Sequence, residues 1–266
     1  MKMTLKTTAE IDATPGAVTR DTVLGGRVTL FQPVDGYRAA IDPVILAAAV
    51  PLGGRPQHIV DLGCGAGAVG FCLMARDPAL RVTGVDRDPA VLALARRGAE
   101  ANRFVDRFNA QPGDVAAPAG LADLAPVDQV VANPPYLPAA RGSQSPAPRR
   151  RASDAEIGAT LADWVDAARR LLVHKGRLTM IHRADRVAEL MAVMRADFGD
   201  LTICPLWPRA GAAAKRVIVR GRKGSGGPDV ISPGWVLHGA DNRFRAATDR
   251  LLAGGGFDLA TGRACE

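Results

Sequence analysis

Residues 59–67 read IVDLGCGAG, an apolar strand pattern that runs into three glycines and then into a helical pattern from Ala68. Glycines suit such a turn because the backbone can adopt positive φ there and approach a ligand closely. Two offsets, starting at Gly63 and at Gly65, fit the spacing of a dinucleotide-binding turn. The loop therefore predicts a nucleotide or nucleoside site at the end of a strand.

Strand and helix patterns alternate on both sides of this loop. Such alternation is typical of an α/β fold, and we predict a doubly wound, mostly parallel, seven-stranded sheet of Rossmann-like type. Strands are predicted at 59–62, 81–86, 127–132, 177–182, 201–205 and 216–219, with a further strand ahead of Asp114. Helices are predicted at 68–75, 90–102, 154–172 and 184–198.

Composition shifts divide the chain into four predicted parts. These are a flexible tail, an N-terminal extension, the main α/β domain and a small C-terminal appendage, at residues 1–20, 21–54, 55–223 and 224–266. In the extension, residues 23–34 predict a hairpin with Gly25 and Gly26 at its bend. A helix is predicted to follow, with Asp42 as its cap and Pro43 in its first turn.

A carboxylate lies near the end of each of the first three strands of the predicted sheet. Asp86 lies 21 residues beyond Gly65, where an acid holds a ribose. Asp61 lies two residues before the first glycine, where it would repel a pyrophosphate and attract an ammonium group. Asp114, after the third strand, can accept a hydrogen bond from an adenine amine. A nucleoside that carries an amino acid fits all three, which predicts S-adenosylmethionine; the glycine spacing alone leaves an NAD-dependent oxidoreductase open.

The tetrad NPPY occupies residues 133–136, directly after an apolar strand pattern. Its prolines cannot continue a central strand, so the Asn133 amide is held at a carboxyl strand end, where ligands bind. The Asn133 side-chain oxygen and the Pro134 carbonyl can accept the two hydrogens of an exocyclic amine and aim its lone pair at a methyl group. Tyr136 can stack an extruded base. We predict Asn133, Pro134 and Tyr136 as catalytic.

IVDLGCGAGAVGF, GVDRD, GDV and NPPY together resemble the class I S-adenosylmethionine-dependent methyltransferases, and the tetrad resembles their nitrogen-modifying branch. LGGRVTLFQPVDGYRAAIDPVILAA, SPAPRRRA and RLTMIHRAD are similar to segments of the bacterial tRNA(Val) adenine-N6 methyltransferase family. The resemblance runs from about Asp21 to Leu252 and implies methylation of an adenine in tRNA. It departs from the family at Asp86, where Glu is usual, and at Phe244, where Tyr is common. The cofactor-binding residues implied are Asp61, Gly63, Gly65, Asp86, Asp114 and, in a covering segment, Arg38.

Basic side chains favour a nucleic-acid partner. The chain has 34 basic and 27 acidic residues, a net charge of +7, which suits a polyanion. Arg149, Arg150 and Arg151 follow the tetrad in a Pro/Ser/Arg loop, and Arg216 lies in a second basic segment, 209–223. Both segments can contact the phosphates of a single-stranded RNA loop, so we predict these arginines as tRNA contacts.

Other substrates also present a planar nitrogen to such a tetrad. A glutamine side chain of a release factor and N2 of guanine in rRNA are the alternatives. A non-catalytic RNA-binding protein with the same fold is a further alternative, against which the intact Asn133 and the strand-end acids argue.

Bulk features exclude several classes of protein. The four cysteines show no metal-ligand spacing, so neither zinc nor a disulfide framework is predicted. The amino terminus lacks the apolar core of a signal peptide, and no apolar run is long enough to span a bilayer. We predict a soluble, cytoplasmic protein without a metal or a membrane partner. The oligomeric state stays open, and a monomer is compatible with the sequence.

Overall fold

The computed structural model describes residues 17–35, 39, 41–53, 57–136 and 159–265. It opens with an antiparallel hairpin of β1 (Val18–Val23) and β2 (Val28–Pro33). Gly25 and Gly26 take φ of 68° and 94° in the turn, which confirms the predicted bend. The hairpin begins at Val18, so its first three residues lie within the stretch predicted as a tail.

A nine-stranded mixed sheet forms the centre of the molecule. Its strands are β3 (Gln57–Leu62), β4 (Leu80–Asp86), β5 (Phe108–Pro112), β6 (Val127–Ala132), β7 (Leu172–Arg183), β8 (Phe198–Trp207), β9 (Arg216–Lys223), β10 (Val230–Ile231) and β11 (Trp235–Val236). The order is β10-β8-β9-β7-β6-β3-β4-β5, with β11 also on β8. Only β9 runs antiparallel to its neighbours within the described sheet. The mostly parallel sheet is confirmed, but the predicted count of seven omits the short strands β10 and β11.

Helices cover both faces of the sheet, as a doubly wound fold requires. They are α1 (Asp42–Ala49), α2 (Ala68–Arg76), α3 (Pro89–Ala101), α4 (Leu161–Leu171), α5 (Val187–Met194) and α6 (Ala246–Leu252). One buried apolar cluster joins α1, α2, α3 and α6 to the sheet, and a second joins α4 and α5 to it. No helix in the described ranges is long and apolar enough to cross a membrane.

The start of α4 is set by its cap. Thr160 accepts a hydrogen bond from the Asp163 N–H, and the Asp163 carboxylate accepts one from the Thr160 N–H, which is a capping box. The helix therefore begins at Leu161, seven residues after the predicted start at 154; residues 154–158 lie outside the described ranges.

The segment after residue 224 extends the sheet. Both β10 and β11 pair in parallel with β8, and α6 packs on α1. Trp235 Nε1 donates to Thr248 Oγ1 at 3.1 Å, and both side chains are buried. A two-stranded piece, β12 (Phe257–Asp258) with β13 (Arg263–Ala264), ends the described chain. The segment that the sequence divides off as an appendage thus shares the core of the main sheet.

Candidate active site

The glycine loop and the tetrad leave neighbouring strands at one edge of the sheet. Leu62 at the end of β3 pairs with Ala132 at the end of β6, so residues 63–67 and 133–136 start side by side. The chain places β4 and β5 on one side of β3 and then returns to the other side with β6 and β7. Ligands of open α/β sheets bind at such a switch point.

The glycine loop adopts a backbone that other residues rarely adopt. Gly63, Gly65 and Gly67 have φ of 65°, 53° and 87°. A side chain at Gly63 would clash with the ring of Trp164 on α4, whereas one at Gly65 would meet no atom within 4 Å. The loop is thus supported at Gly63 and open at Gly65, where a ligand can approach the backbone.

The Asp86 carboxylate is tied to this loop. Its Oδ2 accepts a hydrogen bond from the Gly65 N–H at 2.9 Å, and its Oδ1 accepts one from the Asp88 N–H at 3.0 Å. Burial raises the pKa of Asp86, and these two N–H groups oppose the rise. Asp114 lies beyond the adjacent β5, where its Oδ1 accepts from the Ala116 N–H at 2.9 Å. Both acids lie at carboxyl strand ends, and their contact with a cofactor stays a prediction.

Asp61 lies beneath the glycine loop. It is 1% exposed, and its Oδ2 accepts from the Gly70 N–H in the first turn of α2 at 3.1 Å. Burial raises the pKa of Asp61 to about 7; the Gly70 N–H opposes this rise and Asp86 adds to it. The predicted attraction to an ammonium group therefore has to act through the loop, because the carboxylate is covered.

We expect Asp61→Asn to flatten the pH dependence of stability. The folded pKa of about 7 exceeds the ordinary value of 3.8, so between these values the folded state keeps a proton that the unfolded state has released. Stability is therefore lost as pH rises through this window, by about 2–3 kcal/mol between pH 5 and pH 8. The neutral amide can still accept from Gly70 and removes this loss. Urea unfolding of both proteins at the two pH values measures it, and equal losses would contradict the account.

Two side chains of the tetrad, Asn133 and Tyr136, lie together with Asp42 and Arg216 from other parts of the chain. We call these four residues the Tyr136 cluster. The Tyr136 hydroxyl lies 2.7 Å from Asn133 Oδ1 and 2.7 Å from Asp42 Oδ2. Arg216 Nε donates to Asp42 Oδ2 at 2.9 Å, and its guanidinium carbon lies 4.3 Å from the Tyr136 ring centroid. An ion pair and a cation–π contact thus fix the aromatic end of the tetrad from two other parts of the chain.

Two members of this cluster act differently from their predictions. Asp42 lies in the first turn of α1, but no side-chain cap is formed there. The cap prediction is wrong because the carboxylate is engaged by the Tyr136 phenol and the Arg216 guanidinium. The sequence predicts Arg216 only from a basic segment and gives no signal for its position at the tetrad; its contact with RNA stays a prediction.

His182 contacts Tyr136 from another direction. The two rings meet edge to face, with centroids 5.5 Å apart and planes at 84°. Burial lowers the pKa of His182 to about 4 and Arg186 adds to this, whereas the Pro135 and Arg183 backbones oppose it. Its ring nitrogens make no hydrogen bond of ordinary geometry with the described residues. His182 is a neutral packing partner and Arg216 covers one face of the Tyr136 ring, so the stacking of a base on Tyr136 stays a prediction.

Four predicted site residues lie outside the described ranges: Arg38, Arg149, Arg150 and Arg151. Within those ranges, no three His, Cys, Asp or Glu side chains come together as a metal site.

The loop and its neighbours fit a nucleoside cofactor. The open space at Gly65 lets a ligand reach the backbone, and the adjacent Asp86 carboxylate can accept from ribose hydroxyls. The amide of Asn133 begins the loop on the next strand, where it can meet the group to be modified. Methyl transfer is a chemistry that such a pairing can serve, and the fold is that of a class I methyltransferase.

Residues 44–205 match the methyltransferase small domain family, and the chain belongs to that family. S-adenosylmethionine is therefore the methyl donor, as the strand-end acids predicted. The crystal structure of a predicted O-methyltransferase, protein Atu636 from Agrobacterium tumefaciens, is similar in fold. It has a TM-score of 0.67 and 28% identity, over 80% of this chain and 96% of that chain.

The chain is also similar to proteins named tRNA1(Val) (adenine(37)-N6)-methyltransferase. The one from Porphyromonas gingivalis is 32% identical over 62% of this chain and 66% of that protein, so slightly less than two thirds of its length is spanned. The one from Aeromonas hydrophila is 27% identical over 82% of this chain and 90% of that protein. A release factor glutamine methyltransferase from Chlorobaculum tepidum is 31% identical over 55% of this chain and 52% of that protein.

Proposed function

We propose that this protein transfers a methyl group from S-adenosylmethionine to the exocyclic N6 amine of an adenine in tRNA. The observation that carries the proposal is the position of Asn133, one strand from the glycine loop and held by Tyr136. The Aeromonas hydrophila relative named for this reaction matches most of both chains, whereas the release factor relative matches about half of each. A tRNA substrate implies action in the cytoplasm.

S-adenosylmethionine supplies an electrophilic methyl group on a positively charged sulfur. Each of its parts can be assigned to residues that the structure describes. We assign the backbone at Gly63 and Gly65 to close approach, Asp86 to the ribose hydroxyls and Asp114 to the adenine amine. Asp61 contributes negative charge beneath the loop. Burial raises the pKa of Asp61 to about 7, and a cation bound nearby would lower this pKa and favour the ionised form.

Asn133 and Pro134 activate the target amine. The amine is a poor nucleophile while its lone pair is delocalised into the adenine ring. The Asn133 side-chain oxygen and the Pro134 carbonyl accept its two hydrogens, which directs the lone pair out of the ring plane and toward the methyl group. The lone pair would form the new N–C bond as the S–C bond of the bound cofactor breaks with its electrons left on sulfur, and the extra proton would then leave to water. No general base is required before the transfer.

The Tyr136 cluster orients the Asn133 amide. A phenol has one proton to donate, and the charged Asp42 is a stronger acceptor than an amide oxygen. In the structure the Asn133 amide presents Oδ1 to the hydroxyl at 2.7 Å; with the phenol proton donated to Asp42, a half-turn of the amide lets the phenol oxygen accept from the Asn133 NH₂ group. The amide oxygen then turns away from Tyr136 and toward the substrate amine.

A glutamine of a release factor is the second candidate substrate. Its side-chain amide is another planar nitrogen that the same two acceptors could hold, and the Chlorobaculum tepidum relative carries that name. Because that relative matches only about half of each chain, we rank the release factor behind tRNA as a substrate.

Nucleoside mass spectrometry of tRNA and rRNA from cells that lack this protein tests the proposal. We expect N6-methyladenosine to disappear from one tRNA and to return with the wild-type gene but not with Asn133→Ala. Unchanged RNA together with an unmethylated release factor would contradict it and favour the second candidate.

A further inference from the structure

A second hairpin lies at the same edge of the sheet as the tetrad. Its arms are joined by the Gly239 N–H, which donates to the Arg243 carbonyl at 2.9 Å, and by the Arg245 N–H, which donates to the Leu237 carbonyl at 3.0 Å. The Leu237 and His238 N–H groups donate to the carbonyls of residues 207 and 208, at 2.9 and 3.1 Å. The hairpin is therefore attached to the end of β8 beside the β8–β9 loop.

The strand register gives the distance from this hairpin to the tetrad. Leu206 on β8 pairs with Arg216 on one side and with Trp235 on the other, so Arg216 and Trp235 are two strand spacings apart. His238 follows Trp235 by three residues. Two interstrand spacings across the sheet and the rise of three residues along the strand place His238 about 14 Å from Arg216. The Arg216 guanidinium lies on the Tyr136 ring. Nucleotides that flank a base held at Tyr136 can reach this distance.

The hairpin and the β8–β9 loop carry an excess of positive charge. Their four basic side chains are exposed, and the single carboxylate, Asp241, lies 3.8 Å from Arg243 with both partners well exposed. A pair of that kind contributes little and leaves the arginine available. In the described residues, the other three cations form no ion pair: Arg209, Lys215 and Arg245.

The hairpin also carries a stacked ring pair. The rings of His238 and Phe244 are 4.6 Å apart at 23°, and both are partly exposed. His238 Nδ1 lies 2.9 Å from the Pro208 carbonyl, which can only accept, so Nδ1 carries a proton. In the neutral ring Nε2 is then an acceptor, suited to a base amine or a ribose 2′-hydroxyl. Cations interleaved with rings are the chemistry of single-stranded nucleic-acid binding.

We propose that these six residues form the surface that binds the RNA nucleotides next to the methylated adenine: Arg209, Lys215, His238, Arg243, Phe244 and Arg245. The inference rests on the RNA substrate proposed above, since interleaved cations and rings are the chemistry of single-stranded nucleic-acid binding. The packing of the segment after residue 224 on the sheet does not explain its exposed basic and aromatic side chains, and RNA binding gives these side chains a role.

Salt-dependent RNA binding tests this surface. The double variant Arg243→Gln/Arg245→Gln changes only exposed side chains, and Arg81→Gln/Arg103→Gln, also exposed, is the matched control at the opposite edge. We expect the first variant to bind tRNA at least tenfold more weakly, with the slope of log K against log salt reduced by about 1.4. Its KM for tRNA should rise, while kcat at saturating tRNA, S-adenosylmethionine affinity and Tm stay near wild type. The control should keep the wild-type slope and KM.

The outcomes separate this inference from the proposed function. Wild-type slope and KM in the hairpin variant, with tRNA still methylated, would overturn the surface and leave the function standing. A wild-type protein that neither binds nor methylates RNA would overturn both. His238→Ala gives a second readout, an expected loss of RNA affinity without a change in salt slope, and unchanged affinity there would remove the ring pair from the surface.

Discussion

Asn133→Ala is expected to lower kcat for methyl transfer by about 100- to 1,000-fold, the typical effect of removing one positioned polar group that acts in the transition state. The variant loses the acceptor that directs the lone pair of the amine, but it changes nothing in the glycine loop. Affinity for S-adenosylmethionine should therefore stay at the wild-type value. Single-turnover kinetics with saturating substrate and calorimetric titration of the cofactor measure the two quantities separately.

Asp42→Asn provides a graded control for the same site. The amide keeps the size of the side chain but loses the charge that pairs with Arg216 and accepts from Tyr136. Because it acts only through the orientation of Asn133, we expect a fall in kcat of roughly tenfold, with little change in KM. Full activity in Asn133→Ala would contradict the catalytic role assigned to the tetrad. Full activity in Asp42→Asn alone would remove only the positioning role of the Tyr136 cluster.

Gly65→Ala is expected to weaken S-adenosylmethionine binding at least tenfold, or about 1.4 kcal/mol. The added methyl group would meet no protein atom within 4 Å, so it would project into the space that a nucleoside needs next to Asp86. Its positive φ of 53° also carries a conformational cost of about 1–2 kcal/mol for any other residue. Calorimetric titration and thermal unfolding distinguish the two effects.

Gly25→Ala is the matched control for that experiment. Gly25 also has positive φ, 68°, and a side chain there would also meet no atom within 4 Å, but it lies in the β1–β2 turn. The Tm should fall by a similar amount in both variants, and only Gly65→Ala should bind the cofactor more weakly. Equal cofactor affinity in the two variants would show that the open space at Gly65 is not the binding site.

The sequence predicts the parts of the site that follow from strand order. Gly63, Gly65, Asp86, Asp114 and Asn133 each end or follow an apolar strand pattern, and parallel strands bring such positions to one edge. The described structure confirms this arrangement of the backbone.

Contacts between distant side chains could not be predicted in this way. Asp42 lies 94 residues from Tyr136 and 174 from Arg216, and their meeting depends on how α1 packs on the sheet. The same holds for Trp164, whose contact with Gly63 leaves no spacing signal. Burial of Asp61 depends on α2, so the sequence indicated a carboxylate facing the ligand where the structure has one beneath the loop.

The most direct test of the central claim is a reaction of the purified protein with methyl-labelled S-adenosylmethionine. The substrates offered are tRNA and rRNA from cells that lack the protein, and an unmethylated release factor. We predict label in N6-methyladenosine of one tRNA, and none with Asn133→Ala. Label in a release factor glutamine or in N2-methylguanosine, with all tRNA adenines unlabelled, would contradict the account.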